Sequence, residues 1–356
     1  MKNGSDSPGR ASRCGARLTY VVGHARGGTT WLGELLACHG EVRYVFEPFA
    51  SQAHPCTGID MQTVFNGGRF IHPEKRGRRA ADLPVPRFFR TPHDSGAERL
   101  ARLAAEHLAE VVRRAHPDAA ASHVIVKQPR IENVAWAAAA IGADSVVALD
   151  RHPFGVVNSV WRWRMLNWTK IDRSLLEADD TLSPDIKAIF AAAATREERL
   201  LVLSWLRSRH VREFIASRPD GVLVEYEQLC LDPVGETRRV WRRLGLPADA
   251  AADARLAALV AKRADGGDAL GRFFNVHQDP LARQHAWRHE LPDSLRRRLE
   301  RFVRRHALGI PLPGAGLPAL SRAERLRAQA NDLRAVGSHC RIAADVLRQQ
   351  LRGRAA

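Results

Sequence analysis

The 356-residue sequence predicts an α/β fold: a parallel sheet flanked by helices on both faces, in a single domain with a helical C-terminal extension. Three observations predict it. Short apolar runs, each the length of one buried strand, alternate with segments of helical periodicity. A glycine turn, Gly23 to Gly28, joins the first apolar run to the first helical one. Arg26, Lys127 and Arg151 all fall just beyond the ends of apolar runs, and the carboxyl ends of strands are where open α/β sheets collect their ligands.

The elements follow in chain order. Residues 1–16, rich in Ser, Gly and Arg, read as a disordered tail. A strand is predicted over 18–22, a helix from Thr29 to about Cys38, and a strand over 42–46. Residues 50–95 carry Pro55, Gly58, Pro73, Pro84, Pro86 and Pro92 and form a connection unusually long for a compact domain. Such a stretch is either a substrate lid or a flexible insertion. A helix follows over 97–115, then strands over 124–126, ending at Lys127, and 145–149, leading into Asp150-Arg151. Ser183-Pro184 has the form of an N-cap and first-turn proline and opens a helical region to about Ala216. A strand over 222–224 precedes a helix that Gly245 closes after Leu244, and a last core helix runs from Pro292 to about His306. Residues 314–356 turn to Ala, Arg and Leu, with Leu326, Leu333, Cys340 and Leu347 seven apart. That spacing predicts a terminal helix that packs on the core or joins copies into a homo-oligomer, although Gly337 weakens it.

The formal charge of +16 invites a polyanion partner, yet the arginines are spread over several helix faces, as in Arg296-Arg297-Arg298 and Arg304-Arg305, and read as solvated surface. No nucleic-acid partner is expected. Five well-separated cysteines with no Cys-x-x-Cys pair suggest reduced thiols and argue against zinc. The first 17 residues lack an apolar core, and no apolar run approaches the roughly 20 residues needed to span a bilayer, so a cytoplasmic protein is expected.

Val21-Val22-Gly23-His24-Ala25-Arg26-Gly27-Gly28-Thr29-Thr30-Trp31 has the layout of a P-loop-type phosphate site: glycines admit backbone N–H groups to an anion, and the helix adds its positive end. The lysine that usually precedes the Thr is missing, and the basic residue is Arg26, inside the turn. The stretch resembles the 5'-phosphosulfate loop of sulfotransferases that use 3'-phosphoadenosine 5'-phosphosulfate (PAPS), Pro-(Lys/Arg)-Ser-Gly-Thr-Thr-Trp, with Ala25 for the proline and Gly27 for the serine. Arg151-His152-Pro153 with Ser159 eight residues after the arginine resembles the 3'-phosphate motif of the same family, Arg-Asp-Pro-x-x-x-x-x-Ser, with His152 for the aspartate. Lys127-Gln128-Pro129-Arg130 looks like the Lys-Asp-Pro-Arg strand end of bacterial and carbohydrate sulfotransferases. Glu225-Tyr226-Glu227-Gln228-Leu229, then Asp232-Pro233 and Leu244-Gly245-Leu246-Pro247, is similar to their Arg-Tyr-Glu-Asp-Leu run, with Glu225 replacing the arginine. The resemblance covers about 18–313, so residues 17–313 are expected to form the sulfotransferase domain, between the tails 1–16 and 314–356.

The resemblance implies transfer of a sulfuryl group from PAPS to a hydroxyl or amine of a small-molecule, glycan or lipid acceptor, without a metal. It assigns Arg26, Gly27, Gly28, Thr29, Thr30 and Trp31 to the phosphosulfate and adenine, Arg151 and Ser159 to the 3'-phosphate, and adds Tyr226 to the cofactor-binding set. Arg26 and Lys127 are expected to stabilise charge on the reacting oxygens. Phe46-Glu47-Pro48-Phe49 resembles the Phe-Glu-Pro-Leu segment of carbohydrate-type members and nominates Glu47 as the general base. The cluster from Trp161 to Trp168 is a candidate acceptor wall or core packing, and Trp287-Arg288 a candidate cofactor cover. A P-loop small-molecule kinase, and a non-catalytic anion- or nucleic-acid-binding protein, account for part of this pattern; only PAPS chemistry uses Arg26, Lys127, Arg151 and Ser159 together.

Overall fold

The computed structural model describes residues 16–49, 95–115, 122–128, 131, 134–162, 182–264 and 280–331. The expected tail 1–16 and the proline-rich stretch 50–95 lie almost wholly outside these residues, as do Trp163 to Trp168 and the tail beyond Asn331. The chain divides into two units. The first takes its described residues from 16–151, 182–188 and 206–284, the second from 152–162, 189–205 and 285–331.

The first unit is organised by five parallel strands: β1 (Arg17–Gly23), β2 (Val42–Phe46), β3 (His123–Gln128), β4 (Ser145–Asp150) and β5 (Gly221–Glu225), in the order β2-β3-β1-β4-β5. Parallel neighbours need crossovers, and helices supply them. Alternate residues of each central strand face opposite sides, which divides the core in two. Tyr20, Val22, Val124, Val126 and Ala148 pack with α2 (Ser95–Ala115), α3 (Val134–Ala140), Val211 and Ile215. Val21, Ile125, Val147 and Leu149 pack with α1 (Thr29–Leu36) and with Leu229, Val240, Trp241 and Leu244. Leu32, Leu35 and Leu36 of α1 are fully buried, each contributing about 1.5–3 kcal/mol. The Trp241 indole N–H also donates to the Leu36 carbonyl at 3.2 Å, closing an end of α1 that has no basic residue.

Local chemistry sets the helix limits. The region predicted as one helix from Ser183 to Ala216 is two, α5 (Pro184–Ala192) and α6 (Arg196–Ala216). The break is a capping box: Thr195 Oγ1 accepts from the Glu198 N–H at 3.2 Å, and Glu198 Oε2 accepts from the Thr195 N–H at 3.0 Å. The helix expected to run from β5 to Leu244 is likewise split into α7 (Tyr226–Leu231) and α8 (Pro233–Leu244), because Asp232 caps the second through the Gly235 N–H at 2.8 Å and Pro233 takes its first position. Gly245, in the left-handed region at φ 74°, ends α8 as expected.

In the second unit, α4 (Pro153–Arg162) follows β4 in the chain, and α9 (Trp287–Glu290) and α10 (Asp293–Arg305) come later. The His152 ring stacks on Trp287, with centroids 4.8 Å apart, and its Nε2 donates to the Pro311 carbonyl at 2.9 Å. Nδ1 is then the acceptor that receives the Phe154 N–H at 3.3 Å in the first turn of α4. His152 thus caps the start of α4. The Trp287-Arg288 pair forms a buried helical turn. The Arg288 guanidinium donates to the Pro318 and Ala319 carbonyls at 3.0 and 2.9 Å and pairs with Glu324 at 2.9 Å, fastening a C-terminal helix over 322–331. Its charge is committed to these partners. Glu324 also closes a capping box with Ser321.

Candidate active site

The first unit brings Arg26, Glu47 and Lys127 to one end of the sheet, and Arg151, Tyr226 and the glycine loop beside them. Register does this. Lys127 is the cross-strand partner of both Val21 and Phe46, so the ends of β1, β2 and β3 lie side by side. Leu149 partners both Gly23 and Val224, which adds the ends of β4 and β5.

The loop leaves β1 at Gly23 and makes a tight turn, the Gly27 N–H donating to the His24 carbonyl at 2.8 Å. Gly28 sits at φ 102°, and a Cβ built there would lie 2.6 Å from the Tyr226 ring, so both backbone and space require glycine. α1 then starts at Thr29 with Gly28 at its N-cap and no side-chain cap, which leaves first-turn N–H groups for an anion. Gly28→Ala is expected to lower stability by about 1–3 kcal/mol through the combined strain and overlap. A thermal midpoint equal to wild type would contradict that reading of the turn.

Glu47 and Lys127 form a side-chain ion pair in which Lys127 is almost fully buried and Glu47 about one-fifth exposed. The Lys127 ammonium also lies 4.4 Å from the centre of the Phe46 ring. Burial holds the Lys127 pKa below its ordinary value; Glu47 acts in the opposite sense, and the nearby Arg26 cation lowers it further. Glu47 has a left-handed backbone at φ 41°, while its N–H stays on the sheet, donating to the Lys127 carbonyl at 2.9 Å. Arg26 is left-handed as well, at φ 69°. These are two of the three non-glycine residues with positive φ among the described residues. A conformation that costs about 1–3 kcal/mol at each position recurs at sites where function fixes it.

Arg151 ties the loop to the rest of the site. Its Nη1 donates to the Arg26 carbonyl at 2.9 Å, and its guanidinium lies 4.1 Å from the centre of the Tyr226 ring. Tyr226 touches Trp31 edge to face, with centroids 6.3 Å apart, and burial raises its hydroxyl pKa to about 12, so the phenol is neutral across the physiological range. Trp31 is 6% exposed and packs in the core beneath the loop. Thr29 is buried at the helix start and Thr30 partly so. Ser159 is buried on the second turn of α4, in the second unit.

Three residues near this site were not singled out from the sequence. Tyr44 on β2 is partly buried, and desolvation, with Glu34 and Glu47 adding, drives its phenol far above its usual pKa. Phe46 lies against Lys127. Arg212 of α6 joins Asp150 to Glu225. Phe46 opens the segment that nominated Glu47, but Tyr44 and Arg212 have no motif of their own, because strand register and helix packing alone place them. Trp161 and Arg162 close α4, where Arg162 pairs with Glu290 at 3.4 Å and Asn158 donates to Glu290 at 2.7 Å. Among the described residues no cluster of His, Cys, Asp or Glu is placed to hold a metal ion, and no helix is long and apolar enough to cross a membrane.

A family model described as the sulfotransferase family matches residues 19–250, and the chain belongs to that family. No curated protein matches the chain. Solved structures similar to it include the sulfotransferase domain of the curacin biosynthetic pathway, 15% identical over 84% of this chain and 99% of that one, with a TM-score of 0.43. The sulfotransferase domain of the Synechococcus PCC 7002 olefin synthase is 16% identical over 85% and 98%, with a TM-score of 0.44. Retinol dehydratase in a complex with retinol and PAP is 15% identical over 83% and 82%, with a TM-score of 0.42.

Proposed function

We propose that the chain takes PAPS as its donor and transfers the sulfuryl group to an acceptor hydroxyl or amine, with Glu47 as base. The observation that carries this reading is the convergence of Arg26, Lys127 and Glu47 at one strand end, beside a glycine loop. The residues fit such a nucleotide: uncapped N–H groups at the start of α1 suit the 5'-phosphate, and Arg151 suits the 3'-phosphate. By sequence resemblance, Ser159 is the motif's hydroxyl residue. When bound, the nucleotide supplies an activated sulfuryl group on a good leaving phosphate. Glu47 takes the acceptor's proton as the new S–O or S–N bond forms and the bridging S–O bond breaks. Protonation neutralises Glu47 and frees the charge of Lys127 to meet, with Arg26, the negative charge that grows on the leaving phosphate. The retained charge of these cations takes the place of a metal.

The pH dependence follows from Lys127. Its pKa lies below the ordinary 10.5, so the folded protein loses this proton earlier than a free lysine does. Turnover needs the ammonium, so the alkaline limb of kcat/KM, which reports the free enzyme, falls below pH 10.5. Stability moves the other way: between the depressed and ordinary pKa the unfolded chain binds more protons, so the Lys127 contribution to stability rises with pH. Measuring PAPS consumption and PAP release with a panel of phenol, sugar and amine acceptors from pH 6 to 11 tests both donor and limb. Absence of PAP release with every acceptor, or an alkaline limb at or above 10.5, would count against the mechanism.

A further inference from the structure

The family pattern places an arginine where this chain has Glu225, and the structure shows what that exchange does to the sheet edge. Asp150 and Glu225 are cross-strand partners at the last positions of β4 and β5. Two carboxylates side by side at the ends of neighbouring strands repel each other. Asp150 is 3% exposed, and its Oδ1 is buried with no hydrogen-bond partner among the described residues, so its charge is expensive to leave unmatched. The next residues along the two strands are Arg151 and Tyr226, which touch each other and hold the glycine loop. Any splaying at Asp150 and Glu225 therefore reaches the phosphate site within one residue.

One side chain from another element spans both carboxylates. Arg212 donates from Nε to Asp150 Oδ2 at 2.6 Å and from Nη2 to Glu225 Oε1 at 2.8 Å, and Ser208, one helical turn earlier on α6, donates its hydroxyl to the same Asp150 oxygen at 2.8 Å. Desolvation works against the guanidinium, but Asp150 and Glu225 outweigh it and hold its pKa above the ordinary value. A planar fork with separate donors can bridge two carboxylates in this way, which a lysine cannot reproduce. We infer that Arg212 is a positioning residue of the nucleotide site: by clamping the ends of β4 and β5 it sets Arg151 against Tyr226, and it supplies from α6 the cation that the strand end lacks at Glu225. The link to nucleotide affinity rests on the PAPS reading above, whereas the clamp itself does not.

The test separates the two. In Arg212→Met, backbone hydrogen exchange in peptides covering 149–155 and 224–231 is expected to speed up by about tenfold or more, with the β2 peptide over 42–46 unchanged. PAP affinity, read by calorimetry well below the thermal midpoint, is expected to fall by about tenfold or more. The double variant Arg212→Met with Glu225→Arg returns a cation to the register partner of Asp150 and should recover most of both losses. A general structural role would lower the melting temperature without this local exchange pattern and without rescue. Arg212→Lys, which can match only one carboxylate, should fall between and serves if the methionine variant does not fold. A folded Arg212→Met or Arg212→Lys with wild-type exchange at both peptides would overturn the clamp. Wild-type PAP affinity with accelerated exchange would overturn its bearing on the site. If the wild-type protein itself fails to bind PAP, the donor assignment falls and the exchange data alone decide the clamp.

Discussion

Glu47→Gln is expected to lower kcat by about 10²–10⁴-fold, the range associated with loss of a general base, while PAP affinity stays close to wild type. The substitution is nearly isosteric. Glutamine can still accept a hydrogen bond from Lys127, and it asks nothing new of the left-handed backbone at φ 41°. What it cannot do is take a proton from the acceptor. Losing the carboxylate charge also removes the influence that raises the Lys127 pKa, so any residual activity should lose its alkaline limb at still lower pH than wild type. Steady-state rates with PAPS, paired with PAP titrations of the same preparations, check both halves. Turnover within about tenfold of wild type would remove Glu47 from the role of base.

Arg151→Ala is expected to weaken PAP binding by about 10²-fold or more, because in the proposed site one guanidinium serves both the ligand and the loop. Truncating a buried, hydrogen-bonded charge partner costs about 2–5 kcal/mol in binding. Here the change also removes the donor to the Arg26 carbonyl and the cation over Tyr226. Arg151→Lys keeps the charge but neither the bidentate fork nor the planar stack, so its affinity should recover only part of the loss. PAP affinities of the two variants that match wild type would show that Arg151 is a loop brace and not a phosphate ligand.

Much of the architecture was legible because the burial pattern is written into the strands. The predicted segments over 18–22, 42–46, 145–149 and 222–224 all fall within the observed β1, β2, β4 and β5, and Lys127 sits at the end of β3. The convergence of Arg26, Lys127 and Arg151 was readable because strand ends in a parallel sheet share one edge. The break in the long helix was written as Thr195-Arg196-Glu197-Glu198, a capping box hidden inside a run that reads as helix by periodicity. The edge-to-face contact of Trp31 with Tyr226 was not legible, since it joins α1 to a helix far along the chain. Arg212 and Tyr44 were beyond sequence reasoning for a similar cause: Arg212 lies 62 residues from Asp150 along the chain, and nothing local announces the contact. His152 shows the opposite case, where a departure from the family motif is used structurally, the imidazole capping α4 and stacking on Trp287 at once.

The central claim is that two phosphate sites, the loop at the start of α1 and the strand end at Arg151, together select a nucleotide phosphorylated on both its 3' and 5' sides. Calorimetric titration of the wild-type protein with PAP and, separately, with 5'-AMP tests it most directly, without knowledge of the acceptor. One-to-one binding of PAP, at least about tenfold tighter than 5'-AMP, is the predicted result. Failure to bind PAP, or equal affinity for the two nucleotides, would contradict it.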